Sequence, residues 1–243
     1  MSKTLDSFLN GKIKLFQPSS GYRAGIDPIF LAACVQPQPQ ERVLDVGAGV
    51  GAASLALAAR CPDVKLTCLE MQADMVDLAL KNVQTNNLED SVEVIQGDIL
   101  SPPATLVPHS FDHVMTNPPY YEHDRSHSSP IPGKAQAMTE SMDLTQWLDF
   151  CLKMLKPKGV FSMIHRTERL REILGHLEKK MGNLVIYPLW AGPDKPSRRV
   201  IIQGHNGKKG NLSLLSGMVL HRGDEKYTAE AESILRDAQK LTL

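Results

Sequence analysis

No apolar run in this sequence approaches the ~18 residues needed to span a bilayer, and the polar start Met1-Ser2-Lys3-Thr4 has no signal-peptide core. A membrane protein and a secreted precursor are both disfavoured, and a cytoplasmic location is expected. Cysteine is scarce: Cys34, Cys61, Cys68 and Cys151 form no Cys-x-x-Cys pair and have no histidine at zinc spacing. Reduced, mostly buried thiols are expected rather than a disulfide framework or a zinc site. Net charge is also missing, with 27 Lys/Arg against 27 Asp/Glu, so the whole chain lacks the signature of a dedicated nucleic-acid binder. Internal repeats and low-complexity tracts are absent. What is present, 42% apolar and 22% charged residues, is ordinary globular composition, and the length suits one α/β domain with additions.

The neutral total conceals an asymmetry. Residues 1–120 carry 8 Lys/Arg against 13 Asp/Glu, whereas residues 121–243 carry 19 against 14. A polyanionic partner would be met by the second half, although solvated helix faces explain most such excesses.

From Glu41 the apolar pattern alternates between strand and helix. It predicts strands at Arg42–Val46, Val64–Leu69, Ser91–Ile95, Asp112–Thr116, Val160–Ile164, Leu184–Trp190 and Arg199–Gln203. Helices are predicted at Gly51–Arg60, Ala73–Thr85, Asp143–Leu155 and Thr167–Met181. Such alternation implies an α/β fold, a Rossmann-like seven-stranded and mostly parallel sheet with helices on both faces. Only the turn region Gly192–Pro196 joins the last two strands, too little for a parallel crossover, so they should form an antiparallel terminal hairpin. Ahead of this block, Lys12 and Lys14 alternate with Ile13 and Leu15 as in a short strand with one wet face. Asp27 reads as an N-cap with Pro28 at the first position of a short helix, Ile29–Val35. Pro37 and Pro39 make a linker. Residues 1–40 are thus an N-terminal extension and 41–243 the main domain. Past a polar Gly/Lys loop at Gly204–Gly210, Asn211–Leu220 is a strand or extended tail, and Thr228–Leu241 a terminal helix.

Two turns carry the chemistry. In Val43-Leu44-Asp45-Val46-Gly47-Ala48-Gly49-Val50-Gly51 a strand hands over to a helix, where glycines admit a close ligand and the helix start offers free N–H groups. Gly47, Gly49 and Ala52 also satisfy the dinucleotide fingerprint, so this turn alone names no cofactor. Glu70, ending the next strand, stands where a carboxylate receives two ribose hydroxyls. Asp45 puts a carboxylate inside the turn, which suits an ammonium-bearing ligand better than a pyrophosphate. Asp98, ending the third strand, is an acceptor for an adenine amine, or else an ordinary turn residue. Together these favour S-adenosylmethionine over a nicotinamide.

The second turn is Asn117-Pro118-Pro119-Tyr120. Prolines cannot extend a central strand, so a rigid turn should hold the Asn117 amide and the Tyr120 ring at the carboxyl end of the fourth strand. The Asn117 side-chain oxygen and the Pro118 carbonyl can accept both hydrogens of a planar NH2, while Tyr120 stacks on its ring. The alternative is a structural Asn followed by two loop prolines.

Together these residues resemble the amino-methyltransferases of the Rossmann-like, S-adenosylmethionine-dependent class, over roughly Arg42–Gln203. The likeness is closest to the bacterial tRNA adenine-N(6) methyltransferases that modify an adenine beside the anticodon of a valine tRNA. It rests on Phe8-Leu9-Asn10-Gly11, Gln17-Pro18 and Gly21-Tyr22-Arg23-Ala24-Gly25-Ile26-Asp27. The resemblance implies that the N-terminal segment folds over the cofactor, with Gln17, Tyr22, Arg23 and Gly25 helping to close the site and Arg23 near the methionine carboxylate. It implies methylation of the exocyclic amine of adenine in RNA, with tRNA favoured. A glutamine amide in protein, a guanine amine in ribosomal RNA and adenine in DNA suit the same turn, and a non-catalytic S-adenosylmethionine- or RNA-binding module is the rival from another class. The tail Leu214–Leu243 is not part of the likeness.

Lesser signals follow the second turn. Residues 121–140 read as a polar substrate-recognition loop containing Arg125. His123 and His127 have metal-pair spacing, but Ser128–Gly133 breaks the helix that spacing needs, so no metal is expected. Lys195 and Arg198, with Arg199, Lys208 and Lys209, are candidate phosphate contacts or solvated edge charges. Trp147, Met138, Met142 and Met154 read as packing residues.

Overall fold

The computed structural model describes residues 2–21, 23–119, 143–223 and 226–243. Two antiparallel strands, β1 (Lys3–Phe8) and β2 (Ile13–Pro18), open the chain. As expected, Ile13 and Leu15 of β2 are buried and Lys14 is exposed. Its partner β1 alternates only between exposed and half-buried residues, so it carries no apolar stripe by which to be read in advance.

The main sheet is built on β3 (Arg42–Val46), which is flanked in parallel by β4 (Lys65–Glu70) and β6 (Phe111–Thr116). Outside β4 lies β5 (Val92–Gln96), and outside β6 lies β7 (Leu155–Arg166), both parallel. The chain then makes β8 (Met181–Trp190) and β9 (Arg199–Asn206), an antiparallel hairpin in which β9 inserts between β7 and β8. Two short strands, β10 (Ser213–Leu214) and β11 (Met218–Val219), run parallel along β8. Among the described residues the sheet therefore has nine strands, the seven expected plus two short edge pieces in the Asn211–Leu220 segment.

Helices cover both faces, and the period-two alternation of the strands assigns residues to each. On one face α1 (Asp27–Cys34), α2 (Ala52–Arg60), α3 (Ala73–Thr85) and α6 (Ala229–Asp237) share a core with Val43, Met115, Ile164 and Ile201. On the other, α4 (Leu144–Met154) and α5 (Leu170–Leu177) pack over Leu44, Val114, Phe161, Met163 and Ile202. Leu9, Ile13 and Leu15 belong to the first core, so the N-terminal segment is packed on the main sheet's helices.

Several boundaries differ from expectation, among them the start of β7 at Leu155 rather than Val160. Asp27 is the first helical residue and Ile26 the cap; the Asp27 carboxylate instead accepts from Arg199 Nε at 2.7 Å. The helix predicted over Thr167–Met181 is a 3-10 turn, Thr167–Arg169, followed by α5, because Met181 and Gly182 pair with Asn206 and His205 as the start of β8. Long-range pairing there overrides the helical period. The terminal helix stops at Asp237 with Ala238 in the left-handed region, and the tail returns to α1, where Leu241 N donates to Ala33 O.

Candidate active site

The sheet order reverses at β3: β4 and β5 lie to one side of it, β6 and β7 to the other. Crevices at such a reversal, beyond the carboxyl ends of the strands, are where open α/β sheets bind ligands. The turns after β3 and β6, Gly47–Gly51 and Asn117–Pro119, leave the same edge side by side because Val46 and Thr116 are register partners.

Gly47, Gly49 and Gly51 all have positive φ, at 71°, 56° and 83°. The turn is tied to β4 through Gly47 N and Ala48 N, which donate to Leu69 O at 2.9 and 3.1 Å. At Gly49 an added Cβ would meet nothing within 4 Å, so the backbone there faces open space. The buried carboxylate of Glu70 closes the other side, with Oε2 accepting from Gly49 N at 2.9 Å and Oε1 from Gln72 N at 2.8 Å. An open glycine backbone beside a carboxylate whose two oxygens keep spare lone pairs fits a ribose diol, and so fits S-adenosylmethionine.

Asp45 is 2% exposed and accepts from Ser54 Oγ at 2.8 Å. Burial pushes its pKa up to about 7, and the nearby Glu70 charge adds to that, against the lowering effect of the Ser54 hydrogen bond. Asp98 Oδ1 accepts from Leu100 N at 2.9 Å, so one oxygen holds its own turn. Next to it, Gly97 makes room for the Pro103 ring, which would lie 2.6 Å from an added Cβ.

Asn117 is half-buried and Pro118 buried at the end of β6. Just before them, Thr116 is fully buried; its Oγ1 donates to Val46 O at 2.8 Å and accepts from Trp147 Nε1 at 2.9 Å. The far edge of the same indole lies against Gly47, 2.7 Å from where a Cβ would be. Trp147 packs in the core, as its sequence context suggests, but it also touches both site turns. A buried indole N–H needs an acceptor, which is the one signal that pointed here; nothing in the sequence identified Thr116 as that acceptor.

The remaining candidates lie further out. Arg23 donates to Asp6 Oδ2 at 2.5 Å, Thr4 Oγ1 at 2.9 Å and Pro18 O at 3.1 Å, so its guanidinium is held by the β1–β2 hairpin. Gln17 joins the same cluster, donating to Asp6 Oδ2 and accepting from Ala24 N, both at 2.7 Å. Gly25 lines a surface groove of about 710 Å³ with Asn10, Ile26, Tyr227 and Arg236. Lys195 and Arg198 are exposed in the turn between β8 and β9. Since β8 runs parallel to β7, that turn rises from the same edge as Asn117. Tyr120, Tyr22, Arg125, His123 and His127 lie outside the described residues.

His165 was not singled out by sequence reasoning. It is buried, two residues past Met163, the register partner of Thr116. Its Nδ1 accepts from Arg166 N at 2.8 Å, which leaves the proton on Nε2. Burial, followed by the charges of Arg169, Arg166 and Arg199, pushes its pKa down to about 4, so it is neutral at pH 7. Among the described residues no helix is long and apolar enough to cross a membrane, and no cluster of metal ligands is present.

The chain is similar to known methyltransferases. Residues 25–142 match the family model described as methyltransferase small domain. The tRNA1(Val) (adenine(37)-N6)-methyltransferase of Glaesserella parasuis serovar 5 (strain SH0165) is 30% identical over 152 residues, covering 63% of this chain and 63% of that protein. The protein of the same name from Tolumonas auensis (strain DSM 9187 / NBRC 110442 / TA 4) is 27% identical over 213 residues, 86% of this chain and 81% of that one. The match thus spans less than two thirds of the length of the Glaesserella protein. Among solved structures, a predicted O-methyltransferase, protein Atu636 from Agrobacterium tumefaciens, superposes with a TM-score of 0.74 at 21% identity, over 89% of this chain and 99% of that one. That likeness concerns the fold, which is the class I methyltransferase fold of a mostly parallel sheet closed by an antiparallel hairpin. Residues 25–142 of the chain are thus similar to the methyltransferase small domain family.

Proposed function

We propose that this protein is an S-adenosylmethionine-dependent N-methyltransferase acting on the exocyclic amine of an adenine in RNA, with tRNA as the favoured substrate. The observation that carries the reading is the pairing of Val46 with Thr116, which sets the glycine turn and the Asn117 turn next to each other at the sheet's reversal. The relatives named for adenine 37 of tRNA1(Val) support the choice of acceptor.

When bound, S-adenosylmethionine supplies an electrophilic methyl on a sulfonium. Glu70 and the Gly47 and Gly49 backbone hold the ribose and methionine portions, Asp45 answers the ammonium group, and Asp98, through its second oxygen, receives the adenine amine. Asn117 Oδ1 and the Pro118 carbonyl accept the two hydrogens of the target amine. That raises electron density on its nitrogen and turns the lone pair toward the methyl. Tyr120 stacks on the target base and keeps the nitrogen in line. Bound S-adenosylmethionine would supply its methyl to this nitrogen, which would shed one proton to solvent, so Asn117 and Pro118 would act by orienting the amine and no strong base is required. A base inside a stacked stem or loop must first be swung out into this pocket. Arg125, Lys195 and Arg198 meet phosphates near the site. Residues 1–40 close over the cofactor, with Arg23 and Gly25 contributing through that strap, and the protein works in the cytoplasm.

The test is incubation with methyl-labelled S-adenosylmethionine and, separately, tRNA, ribosomal RNA, DNA and cell protein, followed by digestion and identification of the labelled product. N6-methyladenosine from tRNA is the expected result. Label in N5-methylglutamine, or in no product despite cofactor binding, would overturn it.

A further inference from the structure

Two turns that must cooperate in methyl transfer are joined in the sheet only as far as Val46 and Thr116. Beyond that pair the main-chain ladder cannot continue, because Pro118 and Pro119 have no N–H to give. Across this break lies a side-chain bridge. Trp147 Nε1 donates to Thr116 Oγ1 at 2.9 Å, and Thr116 Oγ1 donates to Val46 O at 2.8 Å. The hydroxyl's proton is committed to Val46 and a lone pair to the indole, so its rotor has one orientation. Val46 immediately precedes Gly47, and Thr116 immediately precedes Asn117. The outer ring of the same indole lies so close to Gly47 that any side chain at that position would overlap it. Trp147 in turn is set by its place one turn into α4, where Asp143 caps the helix by accepting from Thr145 N at 3.1 Å and Trp147 N donates to Asp143 O.

We propose that Trp147, acting through Thr116, is a positioning residue for methyl transfer: it fixes the Asn117 turn against the Gly47–Gly51 turn and so sets the distance between amine and methyl. The inference rests on the methyl-transfer reading above. A displacement of about 1 Å between reacting groups lowers turnover about 100-fold, so a rigid bridge here acts on kcat rather than on binding.

Three substitutions test it. Trp147→Phe keeps an aromatic ring in the core but has no N–H. Thr116→Val keeps the shape and removes the hydroxyl, and Thr116→Ser restores it. With transcribed tRNA as substrate, Trp147→Phe and Thr116→Val should each lower kcat by about 10- to 100-fold, with KM and the Kd for S-adenosylmethionine within about 3-fold of wild type. Thr116→Ser should recover kcat to within about 3-fold, and the Trp147→Phe/Thr116→Val double variant should be no worse than the worse single one. Hydrogen exchange read alongside should show faster exchange in residues 45–50 and 114–117 together for the first two variants only. Unchanged kcat in folded Trp147→Phe, losses that multiply in the double variant, or failure of the serine rescue would overturn the proposal. If wild type methylates nothing, the methyl-transfer reading falls; unchanged exchange in both turns then overturns the bridge as well.

Discussion

Asn82 pairs with Phe16 as a neighbouring strand would. Its Oδ1 accepts from Phe16 N at 2.7 Å and its Nδ2 donates to Phe16 O at 3.0 Å, while the second amide hydrogen reaches Val50 O at 2.9 Å. One turn later, at the C-cap of the same helix, Asn86 does the same for Lys14, at 2.9 and 2.7 Å. Four residues of helix rise about 6 Å and two residues of strand about 6.7 Å, so α3 can present two amides in step with the open edge of β2. The N-terminal hairpin is thereby fastened to the helix that also supports the glycine turn.

Replacing Asn82 with Ala leaves both polar groups of Phe16 and the Val50 carbonyl without their partner in a buried place. A loss of about 2–4 kcal/mol is expected in chemical denaturation. Asn86→Ala, at a more exposed position, should lose only about 0.5–1 kcal/mol. Equal effects would mean that the hairpin is not held chiefly at Phe16.

Asn117→Ala should lower kcat by at least about 100-fold while the Kd for S-adenosylmethionine, measured by calorimetry, stays within about 3-fold. Equal loss of both would mean that Asn117 serves the cofactor rather than the acceptor.

The Asp45 carboxyl, raised from its ordinary 3.8 to about 7 by burial, makes stability depend on pH. Between those values the unfolded chain has given up a proton that the folded chain still holds. Stability is therefore greatest below pH 4 as far as this group is concerned, and is lost as pH rises through 7. Asp45→Asn removes the effect. Relative to that variant, wild type should lose up to ~4 kcal/mol between pH 4 and pH 8. Parallel pH profiles for the two proteins would show that Asp45 is ionised throughout.

Lys195→Ala and Arg198→Ala should weaken tRNA binding by similar factors whatever the sequence of the RNA. Each should reduce the slope of log K against log salt by about 0.7–0.9. Binding curves at several salt concentrations measure this directly, and an unchanged slope would make both residues ordinary surface charges.

Legibility in the sequence followed the range of the interactions. The alternation of β3 to β7 with α2 to α4 was readable because each element carries its own period and its own breakers, as in Asn117-Pro118-Pro119. The hairpin of β8 and β9 was readable from its short connection. The start of β8 at Met181 was not, because only pairing with Asn206 makes a strand of residues that look helical in isolation. Nor was the neighbourhood of Arg23, whose partner Asp6 sits on β1, a strand with no apolar stripe.

The order of strands and helices, the glycine turn, the rigid proline turn and the identities of the groups at both were determined by the sequence alone, since local sterics and periodicity dictate them. Tertiary structure alone decided that Val46 and Thr116 lie in register, that Trp147 reaches across to Thr116 and Gly47, and that Asn82 fastens Phe16. Each of these joins residues 30 or more positions apart, and a side-chain donor does not reveal its acceptor until the chain between them has folded.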